Sequence, residues 1–385
     1  MIEDWRHGGF GLYLHWPFCQ SKCPYCDFNS HVAAQVDQKR WRDAYLTEIA
    51  RVGQETEGRV LNTVFFGGGT PSLMDPDLVA AILEKIGQTW RIANDIEITM
   101  EANPGSVEAG RFQGYGAAGV NRISIGLQAL NDHDLRRLGR MHSAAEGRIA
   151  YDLARKTFER VSFDLIYARQ DQTEQAWRLE LSEALAMEPT HLSLYQLTIE
   201  DGTVFGARQA LGQLRGLPDE DRSSDMFLMT QDTCEAAGLP AYEVSNHARE
   251  GEEARHNLIY WRLGDYAGIG PGAHGRLTLN GHRWATEAPK QPGAWLKLVE
   301  DGHAAEVPRS LTAGEDHATE YLLMSLRLAE GSDPERFRRL AGRPLPAQKI
   351  SDLIEAGLLR RDGGMIKATG NGRLLLNAIL RELLV

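Results

Sequence analysis

Over the first two hundred residues, short apolar stretches alternate with longer amphipathic ones. GLYLHW (11–16), TVFFGG (63–68), IEITME (96–101), RISIGL (122–127), VSFDLIY (161–167) and HLSLYQL (191–197) read as strands. The segments between them carry helical spacing near 37–53, 76–90, 106–118, 131–156 and 173–187, with start signals at Asp75-Pro76 and Ser106-Val-Glu-Ala. Parallel neighbours need a crossover, and a helix is the usual one, so six alternations predict a parallel sheet. A run this long without a break predicts an α/β fold with a TIM-like partial (β/α)6 barrel. Such folds gather functional groups at the C-terminal ends of their strands. Those ends carry His15 to Cys26, Gly67-Gly68-Gly69-Thr70, Glu101-Ala-Asn103, Gly126-Leu-Gln128 and Asp164, which predicts one composite site.

After about residue 200 the alternation stops. LGQLRGLPDEDRSS (211–224) is polar and rich in turn formers, a helical stretch follows, and a glycine-rich segment runs to 275. From about 310 the pattern is mostly helical, closing with a helix, a short Gly-Gly hairpin and a last helix, the order of a small winged-helix domain. The expected division is 1–200 for the barrel, 201–305 for an extension and 306–385 for a C-terminal helical domain. The amphipathic end RLLLNAILRELLV offers a face to a membrane surface or a partner.

Composition narrows the classes. The chain has 385 residues, 42% hydrophobic and 25% charged, with a net charge of −11. Nucleic-acid binders need clustered Lys and Arg, so the acidic balance argues against one, and Arg136-Arg137 and Arg338-Arg339 read as solvated helix faces. MIEDWRHGG lacks the apolar core of a signal peptide, and no apolar run is long enough to span a bilayer. Three of the four cysteines fall within eight residues, Cys19, Cys23 and Cys26, which suits a metal or redox site in a reducing compartment, hence a cytoplasmic protein.

CQSKCPYC has three readings. Cys23-Pro-Tyr-Cys26 alone is a dithiol pattern of the glutaredoxin kind, which leaves Cys19 unexplained. A zinc site needs four ligands, with His15 or His31 completing Cys3His, yet structural zinc sites usually pair two knuckles. The third reading is a Cys-x3-Cys-x2-Cys loop after the first strand, with three thiolates on a [4Fe–4S] cluster. Cubanes usually take four protein thiolates, so three leave one iron open.

That spacing at the end of a first strand resembles the radical S-adenosylmethionine (radical SAM) superfamily, where SAM chelates the open iron. The resemblance implies Cys19, Cys23 and Cys26 as cluster ligands. It also implies SAM contacts at Gly68, Gly69 and Thr70 of GGGTP, at Glu101 toward the ribose, and at Gln128, Arg140, Asp164, Tyr13 and Tyr25. Within it, YLHWPFC…KCPYCDF, VFFGGGTPS, EANPGSV, NRISIGLQ and FDLIYA resemble the oxygen-independent coproporphyrinogen III oxidase family. That family has an oxidase branch and a branch of heme chaperones, the HemW proteins. The oxidase carries a further cysteine where this chain has Phe28, and a longer arm before its first strand.

His256-Asn257-Leu-Ile-Tyr260-Trp261 resembles the H-N-x-x-Y-W motif of the chaperone branch, which implies heme-site residues His256, Asn257, Tyr260 and Trp261. Imidazole is a common axial ligand and the two aromatics offer flat faces to a porphyrin. Direct ligation by His256 is one form of this expectation, and His247 in YEVSNHA is a further imidazole near the glycine loop. The resemblance implies a heme chaperone that uses a [4Fe–4S] cluster and SAM and delivers heme to acceptors such as respiratory hemoproteins. The alternative is the radical decarboxylation of coproporphyrinogen. Two features stand apart. Gly270-Pro-Gly272-Ala-His-Gly275 satisfies a dinucleotide-binding spacing but precedes RLTLNGHRW, a hairpin pattern rather than a helix. Cys234 sits on an apolar helix face as a buried small hydrophobe.

Overall fold

In a computed structural model the protein is described over residues 3–384. The side chains of Ser106 and Val107, and with them the expected start signal there, lie outside the described residues. The strands of the main sheet are β1 (Phe10–Trp16), β2 (Val60–Gly68), β3 (Arg91–Ala102), β4 (Arg122–Gln128), β5 (Arg160–Tyr167), β6 (His191–Gln196), β7 (Asn246–Ala248), β8 (Asp265–Ile269), β9 (His274–Leu279), β10 (His282–Glu287) and β11 (Ser310–Thr312). Among the described residues they pair in the order β11-β10-β9-β8-β1-β2-β3-β4-β5-β6-β7. β1 to β6 run parallel in sequence order, as the alternation predicts. The sheet does not stop there. β8 adds to the free side of β1 in parallel, β9 to β11 continue antiparallel, and β7 closes the far edge against β6.

Strand periodicity of two sorts the side chains. On β1, Phe10, Leu12, Leu14 and Trp16 are buried in the main apolar core, while Tyr13 and His15 alternate with them and line a cavity on the other face. Helix Gln38–Glu55 and helix Pro292–Glu300 cover the outside of this region through Trp41, whose ring stacks on Trp295 with centroids 5.5 Å apart. The inner face is unusually polar. Glu97, Thr99, Arg122, Ser162, His191 and Ser193 are all buried there. Buried polar groups must be paired, and Arg160 donates to Glu97 at 2.7 Å while the N–H of His256 donates to the same carboxylate at 3.0 Å.

The C-terminal part builds a second apolar core around Tyr321, Leu322, Phe337, Ile350, Ile366 and Leu380. A two-stranded ribbon, Leu359–Asp362 with Met365–Ala368, sits between helices as the winged-helix order suggests.

Two helical expectations are corrected. The stretch 106–118 divides into Ser106–Ala109 and Phe112–Ala118, and 131–156 divides into Asp132–Arg137 and Ala144–Thr157. The second break has a physical cause. Gly139 takes φ +68°, where its missing Cβ would lie 2.6 Å from Pro24 Cδ. The chain therefore leaves the helix beside the cysteine loop, and Arg140 is the residue it turns inward. The Gly270–Gly275 tract forms the turn between β8 and β9 and passes straight into the β9–β10 hairpin, so no helix N-terminus faces it.

Candidate functional site

The ends of β1 to β5 converge on a cavity of about 330 Å³. Cys19, Cys23 and Cys26 line it, all three as free thiols. Cys19 is buried, and Thr70 Oγ1 donates to its sulfur at 3.2 Å. Arg140 donates to Cys23 Sγ at 3.5 Å, to Asn103 Oδ1 at 2.6 Å and to the Gly126 carbonyl at 2.9 Å. Asn103 in turn donates to Thr70 Oγ1 at 3.3 Å. One hydrogen-bonded chain thus links the cysteine loop to β2, β3 and β4. Burial raises the Cys19 and Cys26 thiols, with the neighbouring cysteines adding to it, so a bound cation is needed to hold them as thiolates. Among the described residues no three His, Cys, Asp or Glu side chains converge on a point where a single ion would sit. Three soft thiol donors on one short loop are the donor chemistry of an iron–sulfur cluster.

The glycine run shows why bare backbone is required. Gly68 has φ +112°, a region L side chains rarely adopt, and a Cβ there would lie 2.7 Å from the His15 ring. A Cβ on Gly69 would lie 2.8 Å from the Phe18 carbonyl oxygen, while its N–H donates to the Trp16 carbonyl at 2.7 Å. Opposite, the N–H of Gly68 donates to Glu101 Oε2 at 3.2 Å. Asp164 accepts from Ser124 Oγ at 3.1 Å. Burial first, and the charge of Asp164 second, push the Glu101 carboxyl up to about 8. Burial pushes Asp164 up to about 6 against the Ser193 and Ser124 hydrogen bonds. Hydroxyl donors or a positive charge brought against these two carboxyls would favour their ionised form. Gln128 ends β4 beyond a register shift, at φ +68°. Tyr25 packs against Phe205, with its hydroxyl raised by burial.

The expected site residues therefore divide between places. Cys19, Cys23, Cys26, Tyr25, Gly68, Gly69, Thr70, Glu101, Gln128, Arg140 and Asp164 line the first cavity. Tyr13 lines a second cavity of about 730 Å³, which shares Lys22, Phe28, Ser30, Gly68 and Glu101 with the first. Tyr260 and Trp261 wall that second cavity, with Tyr266, His274 and Met324. Asn257 and His256 line neither cavity, and His256 is 1% exposed. His247 is also buried away from both, its imidazole held down to about 4 by burial. Cys234 is fully buried, and burial raises its thiol to about 12. Sequence reasoning missed Asn103 as the link between Thr70 and Arg140, although it stands inside the EANPG segment. It also missed Lys22 and Phe28 as a wall common to both cavities.

A partial barrel of parallel strands, with three thiols on the loop after its first strand and a glycine cradle after its second, defines a radical SAM protein. The Radical SAM superfamily matches residues 13–179, and the HemN C-terminal domain matches residues 313–375. The heme chaperone HemW of Escherichia coli is 38% identical over 96% of this chain and 96% of its own length. HemW of Mycobacterium tuberculosis is 34% identical over 97% and 95%. The mouse mitochondrial radical S-adenosyl methionine domain-containing protein 1 is 37% identical over 97% and 87%. The structure of E. coli coproporphyrinogen III oxidase (HemN), a radical SAM enzyme, shares the fold with a TM-score of 0.81 at 22% identity, over 97% of this chain and 90% of that one. The chain belongs to the HemW family. Membership of the superfamily implies SAM and a [4Fe–4S] cluster. No helix among the described residues is long and apolar enough to cross a membrane.

Proposed function

We propose that the chain is a heme chaperone, with the cluster held by Cys19, Cys23 and Cys26, SAM in the first cavity and heme in the second. The observation that carries the heme reading is the second cavity itself. Its volume of about 730 Å³ lies inside the roughly 300–1,000 Å³ of ligand clefts. Tyr260, Trp261 and Tyr266 give it flat apolar walls. The exposed ammonium groups of Lys22 and Lys290 stand at its rim, where the propionates of a porphyrin would meet them. Heme is cargo in this reading, so its site opens toward solvent rather than sealing it in. The barrel 1–200 would carry the cluster and SAM, the segment 201–305 the cargo wall, and 306–385 the cover, since Glu320 and Met324 also line the cavity.

The residues of the first cavity suit SAM for separate reasons. The bare backbone of Gly68 and Gly69 allows close approach, Glu101 accepts from hydroxyls, and Asp164 offers charge to a cation. SAM bound to an iron–sulfur cluster supplies a one-electron route to a 5'-deoxyadenosyl radical. This chain's part is to hold both partners on one wall. Free thiols without a disulfide suit a reducing compartment such as the cytoplasm, where the acceptors would be apo-hemoproteins, including respiratory ones.

The test is transfer. Anaerobically reconstituted protein is loaded with heme and mixed with an apo-cytochrome, and heme appearing in the cytochrome is followed by absorbance. Transfer that outpaces free heme supports the reading, and absence of heme binding sinks it. Turnover of coproporphyrinogen to protoporphyrinogen with SAM and reductant would establish the oxidase alternative instead.

A further inference from the structure

Given the cluster reading above, on which this inference rests, the chain just beyond Cys26 brings one more polar group to the thiols. It returns to the start of its own loop: Phe18–Cys19 pairs in parallel with His31–Val32, and the N–H of His31 donates to the Pro17 carbonyl at 2.7 Å. One residue earlier, the Asn29 carbonyl accepts from His15 Nε2 at 2.8 Å. The Asn29 side-chain amide donates at 2.9 Å to the carbonyls of Pro271 and Lys290. Ser30 is therefore pinned on both sides, between the end of β1 and the turn after β8. It is 8% exposed, and its buried hydroxyl has no partner at hydrogen-bond distance among the described residues. Buried hydroxyls are normally paired, and leaving one unpaired costs stability. This one stands beside Cys19 and Cys26, where it counters part of the rise that burial imposes on each thiol. Thr70 already donates to Cys19 and Arg140 to Cys23. Ser30 lines both cavities, whereas no cysteine lines the second.

We propose that Ser30 is a positioning residue whose hydroxyl donates to the cluster thiolates of Cys19 and Cys26 and so sets the reduction potential of the cluster from the wall between the two cavities. A neutral thiol is a weak acceptor, whereas a thiolate carries charge and accepts strongly. The hydroxyl that stands unpaired beside free thiols thus gains its partner when those thiols become ligands. Hydrogen bonds to ligand sulfur are one of the protein's levers on cluster potential. A donor withdraws negative charge from sulfur, and reduction adds one electron to the same unit, so the donor favours the reduced form over the oxidised one. The Ser30 proton stays on its oxygen throughout, and no bond to the residue is made or broken. Packing alone gives no reason for a hydroxyl here, because an alanine would fill nearly the same space and leave no polar atom unpaired. The double anchoring of the loop also fits the role. With Asn29 and His31 tied down, a single side-chain rotation is all that has to be ordered to keep the donor aimed.

The experiment is an anaerobic redox titration of the full-length protein, reconstituted with iron and sulfide and free of SAM, with the reduced cluster followed by low-temperature EPR. Ser30→Ala should hold as much iron and sulfide as wild type. At the potential where wild type is half reduced, its ratio of reduced to oxidised cluster should fall about tenfold, which for one electron is a shift of about 59 mV to lower potential. Ser30→Thr keeps the hydroxyl and should titrate close to wild type. A purely structural role would alter iron content or melting without this pattern of potentials. An unchanged potential in Ser30→Ala overturns the proposal, and so does an equal shift in Ser30→Thr, which would assign the effect to size. If Ser30→Ala fails to fold or to retain the cluster, the isosteric pair Ser30→Thr and Ser30→Val decides. A lower potential in the valine protein alone supports the proposal, while equal potentials, or loss of the cluster from both, overturn it. A folded wild type that takes up no iron and sulfide removes the cluster reading itself.

Discussion

Replacing Glu101 with Gln should change the pH dependence of stability in a defined direction. The carboxyl lies beside Asp164 and accepts one hydrogen bond, from the N–H of Gly68. Burial and then the charge of Asp164 raise it from 4.5 to about 8. Between those values the folded chain keeps a proton that the unfolded chain releases, so the wild type loses stability as pH rises through that window. Below it both states are protonated and the effect is absent. A glutamine keeps the acceptor for Gly68 and never ionises, so the variant escapes the loss. Every tenfold difference in proton affinity between the folded and unfolded chain is worth about 1.4 kcal/mol, which gives about 4 kcal/mol between pH 5 and 8 at full strength. Because Glu101 lines a cavity that water enters, about half of that, roughly 2 kcal/mol, is the expected size. Calorimetry of anaerobic, SAM-free protein should show the Tm of E101Q climbing relative to wild type by a few degrees between pH 5 and 8. Asp164 is carried by both proteins and largely drops out of the difference. Parallel curves, or a difference that shrinks as pH rises, would refute the account of the carboxyl pair.

Further outcomes follow from single contacts. Gly139→Ala forces a Cβ into a left-handed backbone against Pro24, at a cost of about 1–2 kcal/mol; iron retention after reconstitution should fall more than Tm, because the strain lands next to Cys23. Arg140→Gln removes a charge-assisted set and leaves Asn103 short of a donor, for a loss of about 1–3 kcal/mol readable in chemical denaturation. Phe337→Ala, at a fully buried position of the C-terminal core, should cost about 3–5 kcal/mol and expose that region to limited proteolysis before the barrel. Cys234 should resist alkylation in the native state even at mildly alkaline pH and react only in denaturant, as mass spectrometry of the labelled peptide will show.

Local pattern was enough to read the barrel because strand and helix periodicities are short-range properties. The six parallel strands of the sheet stand where apolar runs alternate with amphipathic ones, from Phe10–Trp16 to His191–Gln196. The cysteine loop, the glycine run and the acids at strand ends were legible for the same reason, since each lies within a few residues of the strand that places it. Interruption of a helix was overlooked rather than hidden, since Gly139 and the Ser143-Ala-Ala-Glu146 capping box mark a break inside 131–156. What the sequence does not show is that Gly139 turns against Pro24 and so delivers Arg140 to Cys23.

By itself, then, the sequence determined the α/β alternation, the three thiols and the order of polar groups along the strand ends. The tertiary structure decided what those groups meet. It showed that β8 to β11 extend the barrel sheet, that Asn103 joins Thr70 to Arg140, and that two cavities share one wall. It also separated the members of His256-Asn257-Leu-Ile-Tyr260-Trp261, which one motif presents as equals: the imidazole is packed behind Phe65, and Tyr260 and Trp261 line the cavity. Those outcomes rest on contacts between residues tens to hundreds of positions apart, such as Thr63 with His256 and Asn29 with Lys290. Close packing, not local propensity, chooses such partners.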